Sequence, residues 1–181
     1  MKKLIFSIIL IISCLTQLYS QKPHSYSKII QIPNIPADTL YLLSKQWFVT
    51  SFNTPKKVIQ DDSKELKIIS GRGAMEYSFG RLYYISWDGF VTYLIQIQSR
   101  DGRVKVDITN LIHENLPGYA STSNLGLITD EEIQYKSGIG KNLNNNVVND
   151  IKKKFDVFSE LIYVDIEKYI LTKNLKEEKE W

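Results

Sequence analysis

Few residues of this sequence belong to the types that usually carry enzymatic chemistry. The chain has two histidines, His24 and His113, and a single cysteine, Cys14. It contains no nucleophile elbow, no zinc-ligand spacing and no dinucleotide-binding glycine pattern. A metal site would require folding to bring a histidine together with carboxylates. We therefore predict no catalytic residue, no metal ligand and no cofactor.

Carboxylates remain as candidates for general acid–base catalysis, provided that the fold brings at least two of them together. Four examples are Asp61, Asp62, Asp107 and Glu114. Adjacent acids such as Asp61 and Asp62 are more typical of a solvated hairpin turn. The alternative function is thus an enzyme that acts on an envelope polymer. It requires a cleft with converging carboxylates, at least one of which has a shifted pKa.

The tripeptide Gly71-Arg72-Gly73 is the only glycine-rich stretch inside a predicted strand. It lacks the lysine and hydroxyl residue that follow the glycines of a phosphate-binding loop, and no helix follows it. Glycines inside a strand instead indicate a β-bulge or a close crossing by a packed helix.

A cluster of aromatic residues is the candidate interaction surface: Tyr77, Phe79, Tyr83, Tyr84, Trp87 and Phe90. Two interpretations are open. The rings could pack against each other across neighbouring strands, as aromatic pairs in sheets do. If they form an exposed contiguous patch instead, that patch would indicate a partner or ligand surface.

The N-terminus is typical of an export signal. Two lysines precede an apolar run at residues 4–15, which is shorter than the roughly 20 residues of a membrane-spanning helix. We predict a signal peptide over residues 1–20, with cleavage after Ser20 leaving Gln21 first. The alternative is a lipobox at residues 11–14, in which Cys14 is lipidated. The protein is therefore expected to be exported, either periplasmic or secreted, or else a membrane-anchored lipoprotein.

Charge and cysteine content limit the class of partner. Without Lys2 and Lys3, 21 basic residues face 20 acidic ones, which disfavours broad capture of nucleic acid. No nucleic-acid partner is expected, and membrane contact is expected only through a lipid anchor. Cys14 lies in the leader, so the mature domain has no disulfide. An unknown protein or other envelope component is the expected partner, and a second copy of the chain (a homodimer) is the alternative.

The clearest structural element is a hairpin over residues 90–111. Asp101-Gly102 favours a two-residue type I′ turn. This turn would place Ser99 opposite Val104, Ile97 opposite Val106 and Ile95 opposite Ile108. These side chains would all face the core, because a slip of one residue would turn them to water.

Other elements follow from periodicity and from proline and glycine positions. We predict a flexible lead-in at 21–27, a strand at 28–32, a helix from Pro36 to about 52, a short strand at 58–60 and a turn at 61–64. A long strand follows at 65–77, and a long loop at 115–146. A C-terminal amphipathic helix at 147–172 precedes a charged tail at 173–181. Asn144, Asn145 and Asn146 offer its N-cap.

Residues 82–87 allow two predictions. If Asp88-Gly89 forms a second type I′ turn, these residues are a separate strand that pairs Tyr84 with Tyr93 and Leu82 with Ile95. If it does not, they form a loop and strand 65–77 pairs directly with strand 90–98. The Asp-Gly signal favours the hairpin.

Several spaced segments together resemble one family: IQIP at 30–33, WF at 47–48, VIQD at 58–61, IISGRG at 68–73, YLIQI at 93–97, DGR at 101–103 and ITN at 108–110. The sequence resembles the domain of unknown function 4468 family with TBP-like fold, which is found chiefly in exported proteins and lipoproteins of Bacteroidetes. The resemblance covers about residues 28–114. It implies an antiparallel sheet with helices on one face, and it implies no activity.

The expected fold is therefore α+β: an antiparallel sheet of four to six strands with helices packed on one face, in the order β-α-β-β-β-β-α. The TBP-like domain spans 28–114, and the C-terminal helix packs on it. The expected function is non-catalytic binding or assembly, through the outward sheet face, the aromatic cluster or the loop at 115–146.

Overall fold

The computed structural model describes residues 22–52, 58–118, 123–131 and 138–177. The elements in chain order are β1 (Tyr26–Gln31), α1 (Ala37–Ser51), β2 (Ile59–Ser63), β3 (Ile68–Tyr77), a 3₁₀ helix (Leu82–Trp87), β4 (Gly89–Arg100), β5 (Arg103–Asn115), β6 (Gly126–Leu127) and α2 (Gly138–Glu177). The predicted signal peptide, Cys14, Ser20 and Gln21 lie outside the described residues.

The strands form one antiparallel sheet in the order β1-β5-β4-β3-β2, and β6 pairs with the far part of β5. The two long helices cover one face. Alternate residues of β4 and β5, among them Ile95, Ile97, Val104 and Val106, are fully buried beneath them, whereas the residues between are partly or fully exposed. This confirms the predicted α+β fold.

The central hairpin has the predicted register, with Ser99, Ile97 and Ile95 opposite Val104, Val106 and Ile108. Its turn differs from the prediction. Only Gly102 has a positive φ, of 71°, whereas a type I′ turn requires positive φ at Asp101 too. The turn is docked on the start of α1: Gly102 N donates to Ile35 O, and Ala37 N donates to Asp101 Oδ1 at 2.8 Å. These tertiary hydrogen bonds override the local preference.

The second predicted hairpin, at Asp88-Gly89, does not form. Residues 82–87 are a 3₁₀ helix, and β3 pairs directly with β4 from Ile68↔Gln98 to Tyr77↔Gly89. Asp88 has an extended backbone (φ −66°, ψ 140°) instead of the positive φ of a type I′ turn. The predicted pairs of Tyr84 with Tyr93 and of Leu82 with Ile95 are therefore wrong.

The glycines of β3 both make room for aromatic rings, but only Gly71 marks the close crossing by a helix that the sequence analysis offered as one interpretation; at Gly73 the ring comes from the neighbouring strand. A Cβ added to Gly71 would lie 2.6 Å from Cε1 of Phe48 in α1. A Cβ added to Gly73 would lie 2.8 Å from Cε2 of Tyr93 in β4. The two aromatic rings occupy the space that larger residues would need, which explains why the strand has glycine at both positions.

Several predicted bounds shift. Asp61 and Asp62 lie inside β2, not in the turn, which comes later at residues 64–67. The lead-in is fixed instead of flexible: Pro23 forms a β-bridge with Thr129, and His24 N donates to Ile128 O at 2.9 Å. Helix α2 begins at Gly138, nine residues before the predicted start, and it shortens the predicted loop.

Candidate binding surface

The aromatic cluster predicted from the sequence divides between the core and the surface. Tyr77 is 1% exposed, and its hydroxyl donates to Asp150 Oδ2 at 3.0 Å, so it belongs to the core. Phe79, Tyr84 and Trp87 are partly buried against that core. Tyr83 is 76% exposed and Phe90 is also exposed. The structure therefore brings together most of the cluster, but only part of it faces solvent.

Two aliphatic residues that the sequence analysis did not single out complete the surface. Leu82 is 90% exposed and Ile85 is 45% exposed, on the same 3₁₀ helix as Tyr83. We call Leu82, Tyr83 and Ile85 the Leu82 surface. Their signal in the sequence is the spacing of three between Leu82 and Ile85, since side chains three apart eclipse on a 3₁₀ helix. A depression of about 210 Å³ adjoins this surface, between Arg81 and Asp88.

A ring contact and several hydrogen bonds fix the segment that carries the Leu82 surface. The rings of Phe79 and Tyr84 stack with centroids 4.0 Å apart. Asp88 closes the segment, since its carboxylate accepts from Phe79 N at 3.0 Å and its carbonyl from Leu116 N at 2.9 Å. Trp87 Nε1 donates to Asn144 Oδ1 of α2 at 2.9 Å. These bonds fix the backbone while the apolar side chains at its tip stay uncovered.

His113 supports the same segment from inside the sheet. The side chain is fully buried, and its Nε2 donates to Trp87 O at 2.8 Å. Its Nδ1 accepts from Leu125 N at 3.3 Å, so the imidazole is neutral in this arrangement. Burial lowers the pKa of His113, and this outweighs the opposite effects of the Trp87 carbonyl and of Glu114. His113 is a structural core residue that joins the 3₁₀ helix to β5 and to the chain before β6.

We expect acid to destabilise the fold through His113. Its pKa is about 6.5 in the unfolded chain and lower in the folded one. Above about pH 6.5 its contribution to stability is complete; below, the unfolded state binds a proton that the folded state excludes. The free energy of unfolding should then fall by up to about 1.4 kcal/mol per pH unit from this group. Urea unfolding at several pH values below about 6.5 measures this dependence. The free energy of unfolding should fall less steeply with decreasing pH in His113→Gln than in the wild-type chain, and equal slopes would contradict the role of His113.

The four candidate carboxylates do not converge. Asp62 and Asp107 lie in β2 and β5, which are three strand spacings, or about 14 Å, apart in the sheet. Asp62 accepts a hydrogen bond from the hydroxyl of Tyr41, and its Oδ2 lies 2.6 Å from Lys45 Nζ. The hydrogen bond from Lys45, and after it the one from Tyr41, lowers the pKa of Asp62. Asp107 accepts from Ser27 Oγ at 2.6 Å. A carboxylate held in its ionised form by a lysine is not a proton donor, so this arrangement does not support the enzyme alternative.

Neither histidine joins a cluster suited to a metal ion. In the ranges that the structure describes, no group of three His, Cys, Asp or Glu side chains could hold one. His24 Nδ1 lies 2.6 Å from Asp130 Oδ1, and its Nε2 lies 3.1 Å from the hydroxyl of Tyr26. These contacts fix the lead-in to residues 128–130. Among the described helices, none is both long and apolar enough to cross a bilayer.

The open face of the sheet has a different character from the Leu82 surface. Its outward residues on β4, β5 and β1 include Gln96, Gln98, Lys105 and Asp107, as the hairpin register predicts, and Ile29. Towards the hairpin turn this face becomes basic, where Arg100 and Arg103 lie opposite each other. The sheet therefore offers a polar, partly basic face on the side away from the helices.

The fold defines the class of protein: an α+β domain with TBP-like architecture. A TBP-like protein from Parabacteroides distasonis superposes with a TM-score of 0.56 at 13% identity, covering 81% of this chain and 92% of that one. A DUF4468 family protein from Bacteroides ovatus gives a TM-score of 0.50 at 16% identity, covering 82% and 86%. At these identities the likeness concerns the fold alone. No curated protein matches the chain.

The family follows from the sequence itself. Residues 26–114 match the family model described as a domain of unknown function (DUF4468) with TBP-like fold. The chain thus carries a domain of this family, which confirms the resemblance drawn from its spaced segments. The matched region begins with β1 and ends one residue before the end of β5, so β6 and α2 lie outside it.

Proposed function

We propose that this protein is an exported, non-catalytic module that binds a protein partner of the cell envelope through the Leu82 surface. The observation that carries the proposal is the exposure of Leu82 and Tyr83, at 90% and 76%, on a segment whose backbone is otherwise fixed. Large apolar side chains that protrude from a rigid support are suited to fill a pocket on a partner.

The composition of the surroundings favours a protein over a lipid or a nucleic acid. The centre is apolar and contains a tyrosine, and the adjoining depression is lined by one cation, Arg81, and one anion, Asp88. Protein interfaces combine an apolar, aromatic centre with a polar rim of mixed charge. The fixed backbone also lowers the conformational entropy that is lost on binding, because no loop has to be ordered.

Site-specific photo-crosslinking in the native host tests this proposal. A photoreactive phenylalanine analogue at Tyr83 should give a discrete protein adduct, and the same analogue at Leu66 should not. Leu66 is a matched control because, like Tyr83, it is a large hydrophobic residue that is mostly exposed, but it lies in the turn between β2 and β3. When the chain with the analogue at Tyr83 also carries Leu82→Ser, the adduct should be lost, because the partner no longer binds the Leu82 surface.

The mass of the adduct decides between partners. An adduct of a different protein supports the proposal, whereas an adduct of two copies of this chain replaces the proposed partner by a homodimer. Equal crosslinking from Tyr83 and Leu66, or an adduct that survives Leu82→Ser, would contradict a role for the Leu82 surface.

Export is part of the proposal, and it is supported by the basic start and apolar run of residues 1–15. The intact mass of the protein in the same host fractions measures it. A chain that begins at Gln21 indicates a periplasmic or secreted module, and a chain that begins at acylated Cys14 indicates a lipoprotein. An unprocessed chain that begins at Met1 would contradict export through this leader.

A further inference from the structure

A compact basic cluster lies on the open face of the sheet, at the end of the β4–β5 hairpin. Arg100 and Arg103 are paired across the hairpin, and in the next row Gln98 lies opposite Lys105, which lies opposite Ile29 of β1. These five residues line a single depression of about 240 Å³. Side chains of directly paired residues point to the same face, so the three cations surround one space.

The charges of this cluster are not balanced within the protein. Lys105 Nζ lies 2.9 Å from Asp107 Oδ2, which neutralises one cation. In the described part of the chain, the guanidinium groups of Arg100 and Arg103 have no ion pair and no side-chain hydrogen bond. Like charges placed directly opposite in a hairpin repel each other and destabilise it. The cluster therefore carries about two uncompensated positive charges at a site where an anion would relieve repulsion.

We propose that this cluster binds a phosphate group, carried by a small molecule or by a lipid headgroup. A guanidinium presents a planar fork of N–H donors that matches phosphate oxygens in pairs, and two such forks balance a dianion. Gln98 adds an amide donor. Ile29, 53% exposed, supplies an apolar wall for the group that carries the phosphate.

The site is local and independent of the Leu82 surface. The cluster lies at Arg100, the last residue of β4, whereas the 3₁₀ helix ends just before Gly89, the first residue of β4. The two ends of this strand are about 35 Å apart. Asp107 interrupts the basic character in the row next to Lys105. A single pocket for one phosphate fits this distribution better than a continuous track for a nucleic-acid backbone, which takes many phosphate contacts.

Titration of the labelled, processed full-length chain with inorganic phosphate at constant ionic strength tests the site. Amide shifts of residues 98–105 should saturate with a dissociation constant of about 1 mM or lower. Arg100→Gln and Arg103→Gln should each weaken binding about tenfold. Arg72→Gln is the matched control because Arg72 is exposed in β3 of the same sheet, two rows beyond Gln98, and it should leave binding unchanged.

Vesicle flotation identifies the source of the phosphate. Binding to phosphatidylcholine vesicles only when they contain phosphatidic acid, with loss in Arg100→Gln and Arg103→Gln, supports a lipid headgroup. Saturable binding of free phosphate without vesicle binding supports a soluble phosphorylated ligand. Loss of binding in Arg72→Gln equal to that in Arg100→Gln, or no binding in either assay, would overturn the proposal. The crosslinks from Tyr83 do not depend on this cluster, so the two proposals fail separately.

Discussion

Replacing Gly89 by alanine should lower the free energy of unfolding by about 3 kcal/mol. Gly89 begins β4 and lies opposite Asn115 of β5. A Cβ at this position would lie 2.7 Å from Cα of Asn115 and closer still to the backbone carbonyl of Glu114. Because both neighbours are backbone atoms of a paired strand, no rotamer change can make room. The two strands must separate where the 3₁₀ helix is attached, and urea unfolding measures the cost.

Gly140→Ala is the matched control for this prediction. Gly140 lies in α2, and a Cβ there would meet no atom of the described residues within 4 Å. Alanine should therefore stabilise the helix by about 0.5–1 kcal/mol, because glycine loses more backbone entropy on folding. If Gly89→Ala unfolds at the same urea concentration as the wild-type chain or as Gly140→Ala, the close approach of β4 and β5 is wrong.

Truncating Phe155 to alanine should cost about 3–5 kcal/mol, because it leaves a cavity where three rings meet. Phe155 is fully buried in α2. Its ring stacks on Tyr26 of β1 at 5.4 Å, and contacts Tyr93 of β4 and Phe158 edge-on at 5.4 and 5.3 Å. The residue therefore joins the helix to two strands of the sheet. Thermal unfolding should show a large fall in Tm.

Val157→Ala tests whether burial, and not helix propensity, carries that loss. Val157 lies two residues further along α2 and is 65% exposed. Its truncation should change stability by at most about 0.5 kcal/mol. Similar losses for Phe155→Ala and Val157→Ala would mean that α2 does not pack on the sheet through Phe155.

The central hairpin was predictable because its inward positions are occupied by apolar residues that all favour the same register. Ile95, Ile97, Val104 and Val106 alternate with polar residues, so only one register buries all four. The turn type was less predictable, because it depends on residues distant in sequence. The hydrogen bonds from Gly102 N to Ile35 and from Ala37 N to Asp101 exist only once α1 is in place.

Residues 82–87 show where a local signal loses to tertiary pairing. Asp88-Gly89 is a strong turn signal, but β4 has only two sides, and β3 and β5 occupy both of them. The segment is therefore excluded from the sheet and folds into a short helix. Buried His113 then fixes it by donating to Trp87 O. A histidine at the end of a predicted strand gives no sign of such a contact.

The start of α2 was missed for a related reason. The run Asn144-Asn145-Asn146 is typical of an N-cap, but Asn144 is buried and accepts the indole N–H of Trp87 instead. The basic cluster was predictable only in part. The hairpin register places Lys105 outward, but the depression also needs Ile29, and the pairing of β1 with β5 does not follow from local pattern.

The make-up of β2 has a consequence for how the protein can associate. In the described part of the chain, β2 pairs with β3 alone, so it is an edge strand of the sheet. The strand is only five residues long, carries Asp61 and Asp62, and shifts register between Ile59 and Asp61. Short length, charge and irregularity are the features by which natural sheets resist edge-to-edge growth. This edge of the sheet is thereby protected against joining other sheets into fibrillar assemblies.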